Sequence, residues 1–352
     1  MMVSRDIMRS STRDFQKYYN PKLHNELRMD TNTNVLGSNP AAMRYLKNME
    51  VELDSYPNTY SDGLRSELAK LYGLEMDNIV AGNGSDEMLD VSFKTFTEWG
   101  DNCVVPVPSY TLYDYFVTMN GGKALEVDLT EDFQLDVDSI VRSDAKIAIM
   151  PSPNNPTGNV FRHRDIEEIL SKFKGIVIVD EAYVEYAPKG SMITKVNEFD
   201  NLIVLRTFSK VYAMAALRVG YAASNKDIAD MMNSVKIPYS LNKISENAAI
   251  AAVKDQSFVK MSVDMVTEQR PMLAAGLKKL GFEPYPSDSN FILAKSPIDH
   301  SVLVSKLKEK GVLIRDFGSK RRTENCVRMT VGTEELNSIM LGKIAEVLEE
   351  FR

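Results

Sequence analysis

The sequence predicts an α/β fold: a large domain built on a mostly parallel sheet covered by helices on both faces, followed by a smaller α+β domain. Two observations carry this. From about residue 60 to residue 210, short apolar runs of strand length alternate with stretches of helical periodicity, the pattern of a parallel sheet whose faces are both covered. Beyond about residue 240 the order changes to two helical stretches, three strand-like runs and a terminal helix. The expected division is an N-terminal arm (1–40) packing with the small domain, a large domain (41–250) and a small domain (251–352).

The elements follow in order. The first 40 residues are polar and turn-rich; NTNVLGSNP (32–40) is a loop, and AAMRYLKNM after it is helical. SDGLRSELAKLYG (61–73) has apolar residues at helical spacing, Ser61 or Asp62 at its cap and Gly73 as its stop. NIVAGNG is a short strand running into a glycine turn, and SDEMLDVSFKTFT (85–97) is a helix with an N-terminal cap and two acids in its first turn. CVVPVP, ALEVDL, AKIAIM, GIVIVD and NLIVLRTF are strands, with RDIEEILSKF (164–173) among the helices between them. KISENAAIAAV and the amphipathic stretch from about 256 to 280 are helices, the second spanning the domain boundary. FILAKS, GVLIRDF and CVRMTVG are strands, and ELNSIMLGKIAEVLEEF is the last helix.

Composition narrows the class. With 352 residues, 44% hydrophobic and 26% charged, the chain reads as a soluble globular protein large enough for two domains. A net charge of −7 argues against a nucleic-acid partner, because phosphate backbones need clustered Lys and Arg. No apolar run approaches the roughly 18 residues of a membrane span, and MMVSRDIMRSSTRDF at the N-terminus has no apolar signal core. Cys103 and Cys326 stand in no CxxC or Cys/His pattern and read as reduced, buried thiols; with three histidines no metal site is expected. The expectation is a cytoplasmic protein with small-molecule partners.

Chemistry should collect where parallel strands end. After NIVAGN comes Gly84-Ser85-Asp86, a glycine turn opening a helix, whose free N–H groups suit a phosphate. After CVVPVP comes Tyr110, placed to stack on a flat ring. After AKIAIM comes PSPNNPTGNV (151–160), a proline-punctuated turn that fixes Asn155. After GIVIV comes Asp180 with Tyr183 beyond it, an acid costly to bury without a cation. After NLIVLRTF comes Ser209-Lys210, with Arg218 eight residues on, and a desolvated lysine beside other cations is a nucleophile. Each has an ordinary structural explanation taken singly. Together they match pyridoxal phosphate, which needs an amine for its aldehyde, a carboxylate for its ring nitrogen, a donor for its ring oxygen, a flat partner and an anion cup.

The motifs GNGSDE (82–87), PSY (108–110), SPNNPTG (152–158), VDEAY (179–183), RTFSKVYAMAALRVG (206–220) and CVRMTVGTEE (326–335), with SYP (55–57), span nearly the whole chain. In these the sequence resembles fold-type I pyridoxal-phosphate enzymes, and among them the histidinol-phosphate aminotransferase family. The resemblance implies that Lys210 is the Schiff-base lysine and proton carrier, and that Asp180 pairs with the ring nitrogen. It implies that Asn155 and Tyr183 donate to the ring oxygen, that Tyr110 stacks on the ring, and that Gly84, Ser85, Asp86 (through its N–H), Ser209 and Arg218 hold the phosphate. It further implies a homodimer in which Tyr56 reaches the neighbouring subunit's cofactor. Arg315 and Arg328 match the arginines that bind the anionic end of the substrate, and Asn32 sits on a loop covering the substrate side. That loop departs from the family pattern, N-x-N-E-N-P-x-G: Asn32-Thr33-Asn34-Val35-Leu36-Gly37 lacks the glutamate and the proline. The basic run SKRRTENC (319–326) is either a solvated loop or an added anion contact.

The implied activity is transamination between an anionic amino donor, histidinol phosphate first among them, and 2-oxoglutarate. Two other activities share the same cofactor residues: aromatic amino-acid transamination, and decarboxylation as in the threonine-phosphate decarboxylases. A cofactor-sensing regulator would carry an added basic DNA-binding domain, and no segment here has that length or charge.

Overall fold

The computed structural model describes residues 7–13, 15, 26–187 and 190–351. Residues 1–6, 14 and 16–25, part of the expected N-terminal arm, lie outside the described residues. Seven strands form the central sheet: β1 (Ile79–Gly82), β2 (Asn102–Val107), β3 (Lys123–Asp128), β4 (Ile147–Pro151), β5 (Ile176–Asp180), β6 (Leu202–Thr207) and β7 (Gly220–Ser224). Their spatial order is β1-β7-β6-β5-β4-β2-β3. Strands β2 to β6 pair in parallel, and β7 runs antiparallel to both β1 and β6. The sheet is therefore mostly parallel, as the alternating pattern predicts.

Side-chain alternation decides what each face carries. Ile147, Ile149, Ile178, Ile203 and Leu205 pack on one face, with Met88 and Phe93 of the helix Ser85–Phe96 and Tyr113 and Val117 of the helix Leu112–Met119. Ala148, Met150, Val177, Val179 and Val204 pack on the other. Strands β4 to β6 read as unbroken apolar runs because both faces are buried. The same parity sends Asp180 and Thr207 to the first face and Glu181 and Arg206 to the second.

Strand β7 was not expected from the sequence. Gly-Tyr-Ala-Ala-Ser is wholly buried but has no β-branched residue and no alternation, the two signals that mark a strand. The helices Leu112–Met119, Val137–Arg142, Lys226–Val235 and His300–Glu309 were also not foreseen.

A second sheet of four antiparallel strands is made by β8 (Glu283–Pro284), β9 (Phe291–Lys295), β10 (Arg315–Asp316) and β11 (Cys326–Thr330), in the order β10-β11-β9-β8. The expected strand GVLIRDF is divided. Val312–Leu313 pairs with Leu27–Arg28, and Arg315–Asp316 pairs with β11, because the chain changes partner around buried Ile314. The 23-residue helix Ser257–Lys279 carries Pro271 within it and packs against β8, β9 and the terminal helix Glu334–Glu349. The helix Lys243–Lys254 packs instead against Pro40–Asn48 and Asp62–Tyr72. No helix among the described residues is long and apolar enough to cross a membrane.

Candidate active site

The strand ends converge on a cavity of about 350 Å³. It is lined from the end of β1 by Ser85 and Asp86, from β2 by Tyr110 and Tyr113, and from β4 by Asn155. Asp180 and Tyr183 enter it from β5, Ser209 and Lys210 from β6, and Arg218 just before β7. Each follows or flanks the carboxyl end of a strand, where an open parallel sheet leaves room for a ligand.

One end of the cavity is an anion cup. The helix Ser85–Phe96 has Gly84 at its N-cap position, φ +91°, and no side chain caps it. The side-chain cap expected at this N-terminus is therefore corrected: Ser85 is the first helical residue, and it lines the cavity with Asp86. Arg218, itself in the left-handed region at φ +51°, reaches Ser209 Oγ at 3.3 Å and Asp86 Oδ2 at 3.0 Å. Both members of that ion pair are close to half exposed, so it contributes under ~1 kcal/mol and serves to aim the guanidinium. Two glycines permit the close approach. A Cβ on Gly84 would lie 2.8 Å from Arg218 Nη2, and one on Gly220 would lie 2.2 Å from the Ser85 nitrogen. Gly220→Ala must displace backbone; it is expected to cost about 1–3 kcal/mol, read as a lower melting temperature, and to weaken cofactor retention.

The other end carries the groups for a ring. Asp180 is held on both oxygens: Tyr113 Oη donates to Oδ2 at 2.8 Å, and the Ala182 N–H donates to Oδ1 at 3.1 Å. Burial pushes its carboxyl up to about 6, against the opposing pull of those two hydrogen bonds. Lys210 Nζ donates to the Thr31 carbonyl at 3.2 Å and lies 5.3 Å from the Tyr183 ring centre. Asn155 accepts from Arg328 through its carbonyl oxygen, and Tyr183 Oη accepts from Asn32 at 3.2 Å. The amine, the partly buried carboxylate, which pairs with no cation among the described residues, and the anion cup complement the aldehyde, ring nitrogen and phosphate of pyridoxal phosphate.

A second cavity of about 190 Å³ shares Tyr110, Asn155, Tyr183 and Lys210 with the first, and adds Asn32, Arg315, Phe317 and Arg328. Arg328 is 6% exposed. It donates to Asn155 and to the Asp30 carbonyl (2.7 Å), and lies between the rings of Phe291 (5.1 Å) and Phe317 (5.4 Å). Burial pushes its guanidinium down to about 10, with Arg315 acting in the same direction. Among the described residues its Nε has no partner, and it makes no ion pair with a carboxylate. Burying such a charge costs several kcal/mol per ion, so the cavity favours an anionic ligand. Arg315, exposed, stands opposite Arg328 in the β10–β11 register.

The remaining expected residues sit as follows. Asn32 is buried at φ +54°, with its N–H on Thr330 Oγ1 (3.1 Å) and its amide on Tyr183. Its side chain is thus engaged by the protein and orients Tyr183. Asn34 of the same loop is anchored to the Val211 carbonyl (3.0 Å) and Ser262 Oγ (2.8 Å). Tyr56 is 82% exposed, stacks on Tyr239 at 4.9 Å, and does not line its own chain's cavity. In the basic run, Arg321 pairs with Glu126 (3.0 Å) and Asp128 (2.8 Å) of β3, and Arg322 donates to the Thr130 carbonyl (3.0 Å). These two arginines tie the loop to the edge of the central sheet.

Three residues escaped the sequence reading. Tyr113 holds Asp180; its signal was the spacing in Ser109-Tyr110-Thr111-Leu112-Tyr113, two tyrosines three apart at a helix start. Asn154, fully buried, donates to the Pro108 carbonyl (3.0 Å) and Thr157 Oγ1 (2.8 Å), joining the PSY and SPNNPTG turns. Arg206, on the face opposite the cavity, pairs with Glu181 (2.8 Å) and Glu185 (2.7 Å), clamping the ends of β5 and β6 together.

The family described as Aminotransferase class I and II matches residues 23–344. A histidinol-phosphate aminotransferase of Caldanaerobacter subterraneus subsp. tengcongensis is 33% identical over 350 residues, covering 97% of this chain and 99% of the relative. Among solved structures, the histidinol-phosphate aminotransferase of Clostridium acetobutylicum superposes with a TM-score of 0.86 at 25% identity, covering 92% of this chain and 99% of its own. The Sinorhizobium meliloti enzyme of that name, solved in complex with pyridoxal-5'-phosphate, shares the fold with a TM-score of 0.86 at 24% identity, covering 92% and 91%. The chain belongs to the class I and II aminotransferases and is a pyridoxal-phosphate-dependent transaminase.

Proposed function

We propose that this transaminase moves an amino group from histidinol phosphate to 2-oxoglutarate. The observation that carries the reading is Arg328, a buried cation without a carboxylate partner among the described residues, in a cavity that shares Lys210 with the cofactor cavity. A guanidinium presents paired donors that suit phosphate and carboxylate alike, and Arg315 beside it doubles the charge. Histidinol phosphate brings one dianionic end, and 2-oxoglutarate brings two carboxylates.

When bound, pyridoxal phosphate supplies an aldehyde that captures amines and a protonated ring that withdraws electrons from the carbon bearing the nitrogen. The chain's own residues supply the rest. Lys210 Nζ would hold the cofactor's aldehyde carbon and is placed to carry the proton of the substrate carbon. Asp180 keeps the ring nitrogen protonated. Asn155 and Tyr183 donate to the ring oxygen, with Asn32 orienting Tyr183. Tyr110 covers the ring face, and Gly84, Ser85, Asp86, Ser209 and Arg218 hold the phosphate. Tyr56 completes the partner subunit's site in a cytoplasmic homodimer. Support for that dimer comes from the exposed Leu53, Tyr56 and Ile237, apolar side chains that association would cover. Residues 251–352, with the arm, form the part that carries Arg315 and Arg328 to the large domain.

Purified enzyme given histidinol phosphate and 2-oxoglutarate is expected to form glutamate. In a parallel incubation with L-threonine O-3-phosphate it is expected to release no carbon dioxide. Carbon dioxide release without glutamate formation contradicts the proposal and identifies a decarboxylase; glutamate from aromatic amino acids alone identifies an aromatic transaminase.

A further inference from the structure

We propose that Tyr113 is a positioning residue that sets where the proton of the site resides, by donating to Asp180 while bracing Tyr110. The inference rests on the reading of Asp180 as the partner of the cofactor's ring nitrogen. Its basis is geometric. Tyr113 is 1% exposed and is one of the largest fully buried side chains in the protein. Its hydroxyl meets Asp180 Oδ2 at 2.8 Å, and its ring meets Tyr110 edge-on, at 5.4 Å and 85°. Its N–H closes the first helical turn onto the Tyr110 carbonyl at 3.1 Å. One side chain, rooted in the first turn of Leu112–Met119, thus fixes both the residue for the ring nitrogen and the residue for the ring face.

The charged and titratable groups around Asp180 leave Tyr113 in control. Asp86 from the helix Ser85–Phe96 and Glu181 from its own strand end both act to raise it, as does burial. Tyr183, Lys210 and Arg218 line the same cavity. Tyr113 and the Ala182 N–H oppose that rise. Burial also holds the Tyr113 phenol well above its usual range, so it stays a donor. A carboxylate that keeps a donor is a weaker base, and a proton shared with a ring nitrogen then lies on the nitrogen. Without the hydroxyl the carboxylate draws that proton toward itself, and the ring loses part of its positive charge.

The test uses holoenzyme loaded with cofactor labelled with ¹⁵N in the ring. In wild type the ring ¹⁵N signal should be that of a protonated pyridine, and in Asp180→Asn that of a neutral one. Tyr113→Phe keeps the ring against Tyr110, and its signal should move from the first position toward the second. A second measurement leaves position 113 unchanged: with tyrosine ¹³C-labelled at the phenol carbon, Asp180→Asn should shift the Tyr113 signal. If Tyr113→Phe keeps the wild-type ¹⁵N position while Asp180→Asn moves it, or if the phenol signal stays still, Tyr113 has no such role and the Asp180 reading stands. If Asp180→Asn itself leaves the ring nitrogen unmoved, the reading of Asp180 fails, and the inference with it.

Discussion

Lys210→Ala is expected to abolish the absorbance of the bound cofactor near the edge of the visible range and to lower turnover by about 10⁴-fold or more. Two losses combine: no amine remains to hold the aldehyde, and none moves the proton from the substrate carbon. The rest of the site should survive. Among the described residues the Lys210 side chain makes one hydrogen bond, to the Thr31 carbonyl, and a single such bond contributes about 0.5–1.5 kcal/mol. The anion cup of Ser85, Ser209 and Arg218 does not involve it. The variant should therefore fold, melt within a few degrees of wild type and still bind the cofactor weakly without the covalent link. Absorbance and steady-state assays check the first part, and calorimetry the second. Retained turnover in a folded Lys210→Ala protein would overturn its assignment.

Arg328→Ala should raise the KM for anionic substrates by about 10²- to 10³-fold, because removing one member of a buried charge pair costs 2–5 kcal/mol or more. The effect on kcat should be smaller, since Arg328 reaches the reacting atoms only through Asn155. Arg328→Lys should recover little. The guanidinium touches Asn155 and the Asp30 carbonyl through different nitrogens while lying between two aromatic rings, and an ammonium cannot reproduce that fork. Kinetics with a phosphate-bearing donor and an uncharged analogue separate the outcomes. Equal losses on both would mean that Arg328 holds the pocket's shape and not the anion.

Much of the site was legible because it sits where buried strands stop. Asn155, Asp180 and Lys210 stand at or a few residues beyond the ends of the apolar runs in β4, β5 and β6. What was not legible depends on pairings that sequence spacing does not encode. The Tyr113–Asp180 contact joins residues 67 apart, and a lone tyrosine on a helix otherwise reads as packing. Strand β7 is made of small residues whose burial comes from its neighbours. The cap expected for the helix over 85–97 is not made by a side chain, because Gly84, at φ +91°, takes the N-cap position. The altered loop at 32–37 was read as a change on the substrate side; Asn32 does line the cavity of Arg328, and the loop's asparagines also bond to Tyr183, Val211 and Ser262, contacts that spacing does not reveal.

Borohydride reduction of the holoenzyme, followed by proteolysis and mass spectrometry, asks which side chain carries the cofactor. The account predicts a single phosphopyridoxyl adduct, on the peptide containing Lys210. An adduct on another lysine, such as the buried Lys236, or no adduct on protein that turns over substrate, would contradict it.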